Sequence, residues 1–135
     1  MSLLLPQPVS RERPAKIDKL NADVLRSALS QCIMGREIIV LDEATSTNDS
    51  VWQRATPITP EGLVIFAERQ TAGRGQRGQR WESLPGKGLW FSILLRPKIA
   101  PAHSPRLTTW AAQSVAEAVS EELGLCPTVK PPNDV

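Results

Sequence analysis

Between Gln70 and Trp81 the chain reads QTAGRGQRGQRW, three glycines and three arginines in a dozen residues. Glycine lets a backbone approach a bound group closely, and arginine offers a planar fork of donors to phosphate or carboxylate. The segment therefore reads as an anion site. Because GRGQRG also fits G-x-G-x-x-G, a dinucleotide site competes with a phosphate loop, an RNA-binding arginine–glycine segment and an inert surface loop.

The flanks separate these readings. "GLVIFAE" (62–68) predicts a strand just before the segment, and "GLWFSILLRP" (88–97) predicts another after it. A dinucleotide site needs its glycine turn to open a helix, with an acid about 20 residues further on. Here "QRWESLPGKGLW" (79–90) has no helical period and "ILLRPK" (93–98) holds no acid. A kinase-type loop would want an apolar residue where Arg80 stands, and GKG is not the G-K-S/T of a Walker loop. Arginine–glycine RNA segments are long and disordered, whereas this one is short and held at both ends. An inert turn has no need of an arginine between its glycines. What remains is a clamped loop that wraps a small anionic ligand, with backbone N–H groups turned inward.

Further out, "NADVLRSALSQCIMG" (21–35) predicts a helix capped by Asn21 and ended by Gly35, with Val24, Leu25, Ala28, Leu29 and Ile33 on its buried stripe. "EIIVL" (37–41) predicts a short buried strand. "TSTNDSVWQRA" (45–55) offers Thr45, Ser46 and Thr47 as caps ahead of a helix running through Ala55. "SPRLTTWAAQSVAEAVSEELG" (104–124) predicts the longest helix, with Ser104 as cap, Pro105 in the first turn and Gly124 at the end. Its expected buried face is Leu107, Trp110, Ala111, Ser114, Val115, Ala118, Val119 and Leu123. "PTVKPPNDV" (127–135) reads as a strand running into a turn. Strands mixed with helices give an α+β (mixed α/β) class. Residues 1–15, rich in proline and charge, read as a flexible N-terminal segment. Val135 follows directly on a turn signal, which reads as a truncated fold.

The 135 residues match one domain with a buried core, and a net charge of +2 is too small to imply nucleic acid. The charge is local: Arg69, Arg74, Arg77 and Arg80 crowd 68–81, with Glu68 as the only acid there. Cys32 and Cys126 lack metal-type spacing, and His103 stands alone in a proline-rich loop, so no metal site is assigned from them. No apolar run approaches the roughly 20 residues of a membrane span, and the N-terminus lacks the order of a secretory signal. A cytoplasmic location is expected.

Three motifs stand in order: "STND" (46–49), "ERQTAGRGQRGQRWES" (68–83) followed by "GLWFS" (88–92), and "KPPNDV" (130–135). Together they resemble the catalytic domain of biotin–protein ligases, in the biotin/lipoate ligase superfamily, over about residues 36–135. The resemblance implies part of a class II synthetase-like sheet with flanking helices, residues 16–135 being the N-terminal part of that domain. It implies a ligase that joins biotin to ATP, giving biotinyl-5′-adenylate and pyrophosphate. Biotin then passes to a lysine of a biotin carboxyl carrier protein.

The resemblance also distributes roles. Ser46, Thr47, Asn48, Gln70, Arg74, Gly75 and Gln76 are expected to line the biotin pocket, whose ureido ring must be fully hydrogen-bonded once buried. Arg74, Arg77 and Lys130 are the expected catalytic cations, because carboxylate and α-phosphate are both negative. Gly73, Arg77, Gly78, Trp81, Lys130, Asn133 and Asp134 are expected to meet ATP or the adenylate, with Asp134 the one residue offered to Mg2+. For Trp81 a core-anchor role stands beside the adenine role. Trp90 and Ser92 are placed on the strand beside the pocket, with packing as the default for Trp90. No membrane and no DNA-binding domain are implied, since the helix at 20–34 is too little for a winged helix; an exposed strand edge would allow a homodimer.

The chain departs from the family pattern at Gln76 and Gln79, where charge is lost, and at Pro131, where the family has tryptophan. It also stops before the strand carrying a further lysine. A degenerate biotin binder without catalysis, a lipoate-ligase relative and an RNA binder stand as the other readings.

Overall fold

A computed structural model describes residues 18–75 and 78–135. The expected flexible segment 1–15 and the site candidates Gln76 and Arg77 lie outside the described residues. The chain divides into two compact units, one through Leu95 and one from Arg96 to Val135.

The first unit is built on a three-stranded sheet. Strand β1 (Glu37–Leu41) runs parallel to β2 (Leu63–Ala67), and β5 (Trp90–Ile93) lies antiparallel on the other side of β2. All five residues of β2 are buried. Its side chains alternate between the two faces, as a strand requires. Val64 and Phe66 join Ile38 in one cluster, against which Ala22, Leu25 and Leu29 pack. Leu63 and Ile65 join Val51 in the other. A strand covered on both sides reads as an unbroken apolar run, and this is why "LVIFA" was legible. Phe66 also meets its cross-strand neighbour Phe91, with ring centroids 5.4 Å apart.

Helix α1 (Ala22–Ala28) begins as the sequence predicts: the Asn21 side chain accepts from the N–H groups of Asp23 and Val24 at 2.9 and 3.1 Å. It ends sooner. Residues 29–35 are turns, and the packed stripe is Ala22, Leu25 and Leu29, leaving Val24 and Ile33 exposed. Ser30, Gln31 and Cys32 are exposed and add no core contact to carry the helix on. Helix α2 (Thr47–Arg54) crosses over between β1 and β2, burying Thr47, Ser50 and Val51.

The glycine-rich stretch is a correction. Its two ends form a hairpin rather than a loop: β3 (Gln70–Arg74) pairs antiparallel with β4 (Arg80–Ser83), with Gly73 opposite Trp81, Arg74 opposite Arg80, and an irregularity between Gln70 and Gly73.

In the second unit, a 3-10 turn (Pro101–His103) feeds helix α3 (Ser104–Leu123). His103 takes the cap position and Ser104 is already helical, so the expected Ser104 cap is displaced by one residue. Gly124 ends the helix in a left-handed conformation, φ 63°, where a side chain would be strained. The expected buried face is not buried: Ala112 is the one buried residue of α3, and Trp110, Val115 and Leu123 are exposed. This unit contains no strand to cover that stripe. Residues 127–135 form no strand either, but a turn closed by an isolated bridge between Lys130 and Asp134.

Candidate functional site

The segment after β1 is laced onto the start of the hairpin. Ala44 N–H donates to the Arg69 carbonyl at 3.0 Å, Thr71 N–H to Ala44 at 2.9 Å, and Ala72 N–H to Thr45 at 2.8 Å. These bonds set the first turn of α2 beside Gln70. Ser46 occupies the N-cap position yet makes no side-chain capping bond. Its place is taken from outside: the Gln70 side-chain carbonyl accepts from Thr47 N–H at 2.7 Å and from the Thr47 hydroxyl at 3.1 Å. Gln70 thus satisfies a helix-end donor that would otherwise be buried without a partner.

From there a chain of polar groups crosses the unit. Gln70 Nε2 donates to Ser83 Oγ at 3.1 Å. On the other side, Ser92 Oγ lies 2.8 Å from Thr47 Oγ1 and 2.6 Å from Asn48 Oδ1. Ser46, Thr47 and Ser83 are buried. Fixed polar groups of this kind hold their geometry before any ligand arrives.

They open into a cleft of about 220 Å³, lined by Ser46, Thr47, Asn48, Gln70, Arg74, Trp81, Leu89, Trp90, Phe91 and Ser92. The volume falls below the roughly 300–1,000 Å³ of pockets that hold drug-sized molecules, so it suits a head group rather than a whole nucleotide. The lining combines apolar and aromatic side chains (Trp81, Leu89, Trp90, Phe91) with hydroxyls and amides (Ser46, Thr47, Asn48, Gln70, Ser92), and among the described residues Arg74 is its one charged group. Arg74 forms an ion pair with Asp49, in the first turn of α2. The hydrogen bond from Arg74 holds the Asp49 carboxyl below the ordinary aspartate range, and the same bond raises the guanidinium. An aspartate lowered in the folded state contributes stability that is present above its unfolded value and lost as the pH falls through the folded one. Acid unfolding of Asp49→Asn, followed by denaturant titration, is expected to show a shallower loss of stability in the acid limb than the wild type.

Two glycines of the hairpin stand in close approach to side chains. A Cβ on Gly73 would stand 2.9 Å from Gln70 Nε2 and 3.0 Å from Ser83 Oγ, between the two partners of that hydrogen bond. One on Gly75 would meet the Trp81 indole nitrogen at 2.7 Å. Gly73→Ala is therefore expected to cost about 1–3 kcal/mol by overpacking, measured by urea denaturation, with the damage centred on Gln70.

The structure brings together Ser46, Thr47, Asn48, Gln70, Arg74 and Trp81 of the expected residues, with Gly73 and Gly75 in the hairpin beneath. Gly78 is exposed with φ 78°. Trp81, 55% exposed, is not a core anchor. Lys130, Asn133 and Asp134 belong to the second unit and come together there. Backbone bonds of 2.8 and 3.1 Å join residues 130 and 134, and the Lys130 ammonium lies 3.8 Å from the Asp134 carboxylate. Those closing bonds use the N–H groups of Lys130 and Asp134, so the donor missing at Pro131 is not among them.

Sequence reasoning gave no role to Asp49 or Ser83 and left Ser92 and Trp90 at the margin. Asp49 had one signal, an acid directly after Ser-Thr-Asn. Trp90 lies in the cleft wall against the Gly88 backbone, where a Cβ would come within 2.7 Å of the ring. Its buried indole N–H has no hydrogen-bond partner among the described residues.

A family model described as biotin/lipoate A/B protein ligase family matches residues 40–135. The chain belongs to that family. It is 37% identical over 120 residues to the bifunctional ligase/repressor BirA of Bacillus subtilis, covering 89% of this chain and 37% of that protein. It is 30% identical over 105 residues to the biotin–acetyl-CoA-carboxylase ligase of Mycobacterium tuberculosis, covering 74% of this chain and 40% of that one. Among solved structures it resembles the biotin protein ligase of Aquifex aeolicus in complex with biotin and ATP, with TM-score 0.61, 35% identity, and coverage of 73% of this chain and 40% of that one. The mixed helix-and-strand fold is that of the catalytic domain in these family members. The chain spans about two-fifths of the length of these relatives. No helix among the described residues is long and apolar enough to cross a membrane.

Proposed function

We propose that the cleft binds biotin and that the chain carries the biotin-activating part of a ligase. The carboxylate of biotin attacks the α-phosphate of ATP, a carbon–oxygen–phosphorus link forms as pyrophosphate leaves, and biotinyl-5′-adenylate results. A lysine of a biotin carboxyl carrier protein then takes the biotinyl group, releasing AMP. The observation that carries this reading is the preset polar line Asn48–Ser92–Thr47–Gln70 sharing a cleft with aromatic side chains, with Arg74 the single cation among the described lining residues. A cyclic urea presents two N–H donors and one carbonyl, and buried polar groups of that kind require matching partners. The hydroxyl and amide groups supply them. Arg74 stands ready for the negative end of the same molecule.

For ATP, the candidates in the first unit are the hairpin backbone at Gly73 and Gly78 and the half-exposed Trp81 ring; the exposed Lys130–Asp134 turn is a separate candidate within the second unit. For Mg2+ the one residue offered is Asp134, and an ion carried with ATP would need only one or two carboxylates beside the phosphates. Asp134 faces Lys130, and no three His, Cys, Asp or Glu side chains gather among the described residues. No step is assigned to the ion here.

Incubating the purified chain with biotin and MgATP, and searching for biotinyl-adenylate by mass spectrometry, tests the reading. Product is the expected result. Biotin bound with no adenylate formed would reduce the function to biotin binding, and no binding at all would overturn it.

A further inference from the structure

We infer that Asp49 is a positioning residue that presets the Arg74 guanidinium for the carboxylate of the ligand. This rests on the proposed biotin reading, but the observation behind it is separate. Arg74 sits on β3 and Asp49 on the first turn of α2, 25 residues apart in sequence, and the fold pairs them at the edge of the cleft. The Arg74 side chain is 53% exposed and that of Asp49 is 37% exposed. An exposed arginine left alone samples many rotamers, and fixing it when the ligand arrives would subtract from affinity. A pair already formed removes that cost. The geometry also leaves the cation usable. Asp49 takes one N–H of the guanidinium through a single carboxylate oxygen, while the group carries five donors in all. The remaining edge can serve a second carboxylate without the first letting go. Asp49 itself is tied to the polar line by position: it follows Asn48, whose side chain bonds Ser92, and it shares the first turn with Thr47. One turn of helix therefore carries both side chains of the polar line and the carboxylate that presets the arginine on β3.

The test separates a carboxylate effect from a general one. Affinities for biotin and for its neutral carboxamide are compared by calorimetry in wild type, Asp49→Ala, Asp49→Asn and Arg74→Ala. Wild type is expected to favour the carboxylate by about 10- to 100-fold, the range of one charge-assisted hydrogen bond. Asp49→Ala should cut that preference by about tenfold while leaving carboxamide affinity unchanged. Asp49→Asn, which keeps an oxygen acceptor, should restore most of it, and Arg74→Ala should abolish it. Equal losses for both ligands in Asp49→Ala, or a gain in carboxylate preference, would overturn the inference, the latter by making Asp49 a competitor for Arg74. Should Asp49→Ala fail to fold, the Asn variant decides by the same ratio: a preference as low as that of Arg74→Ala overturns the inference. Wild type binding neither ligand would overturn the biotin reading and this inference with it. Wild type binding both with a preference that ignores position 49 would overturn this inference alone.

Discussion

Gln70→Leu is expected to lower stability by about 2–6 kcal/mol, the sum of two stranded buried polar groups at about 1–3 kcal/mol each, and to remove measurable biotin binding. The volume changes little, so packing is not the cause. The amide accepts from the N–H and hydroxyl of Thr47 and donates to Ser83, and both of those residues are buried. Leucine leaves the Thr47 N–H at the start of α2 without its acceptor and Ser83 without its donor. Because Thr47 also bonds Ser92, the loss spreads along the polar line that faces the cleft. Urea denaturation gives the stability term and calorimetry the binding term. Gln70→Glu, which keeps the acceptor and loses the donor, is expected to fall between leucine and wild type. A leucine variant as stable as wild type and still binding biotin would refute the role given to this side chain.

The second large effect is expected on rate. Arg74→Ala should slow biotinyl-adenylate formation by about 100- to 1,000-fold, the range for removing one preorganised donor at a developing negative charge. Fold and stability should change little. Arg74 is half exposed, and its ion pair with Asp49 is of the surface kind that contributes little to stability. Single-turnover measurement of adenylate at saturating biotin isolates the step. A rate within threefold of wild type, where removing the donor should cost about 100-fold or more, would move the catalytic charge elsewhere.

What was legible in the sequence, and what was not, divides along physical lines. β2 could be read because burial on both faces leaves no polar residue in "LVIFA". Asn21 could be read because a cap acts over two or three residues. The hairpin could not: glycine is depleted in strands, and the pairing rests on the ladder of β3 with β4 and on the Gly75 N–H bond to the Gln79 carbonyl, which no apolar alternation announces. Helix α3 shows the limit of periodicity. Its apolar stripe is real as a pattern, but a stripe does not state what covers it, and the second unit holds no sheet.

The site divides in the same way. Ser46, Thr47, Asn48, Gln70 and Arg74 were marked by short motifs, and the fold brings them to one cleft. The two links that organise them were hidden. Gln70 serves as the cap of a helix that starts 23 residues earlier, and Asp49 pairs with Arg74 across two elements. Neither follows from spacing, since both need β1, α2 and the hairpin already in place. Trp90 carried the default of an apolar strand residue, and only its buried N–H, without a partner among the described residues, marks it as more.

The most direct test of the central claim is a titration of the isotopically labelled chain with biotin, followed by backbone and side-chain amide NMR. Saturable shifts are expected at Thr47, Asn48, the Gln70 side-chain amide, Ser92 and the Trp90 indole N–H, with Gln70→Leu silent throughout. A folded chain whose signals stay in place at millimolar biotin, or shift only outside this cleft, would contradict it.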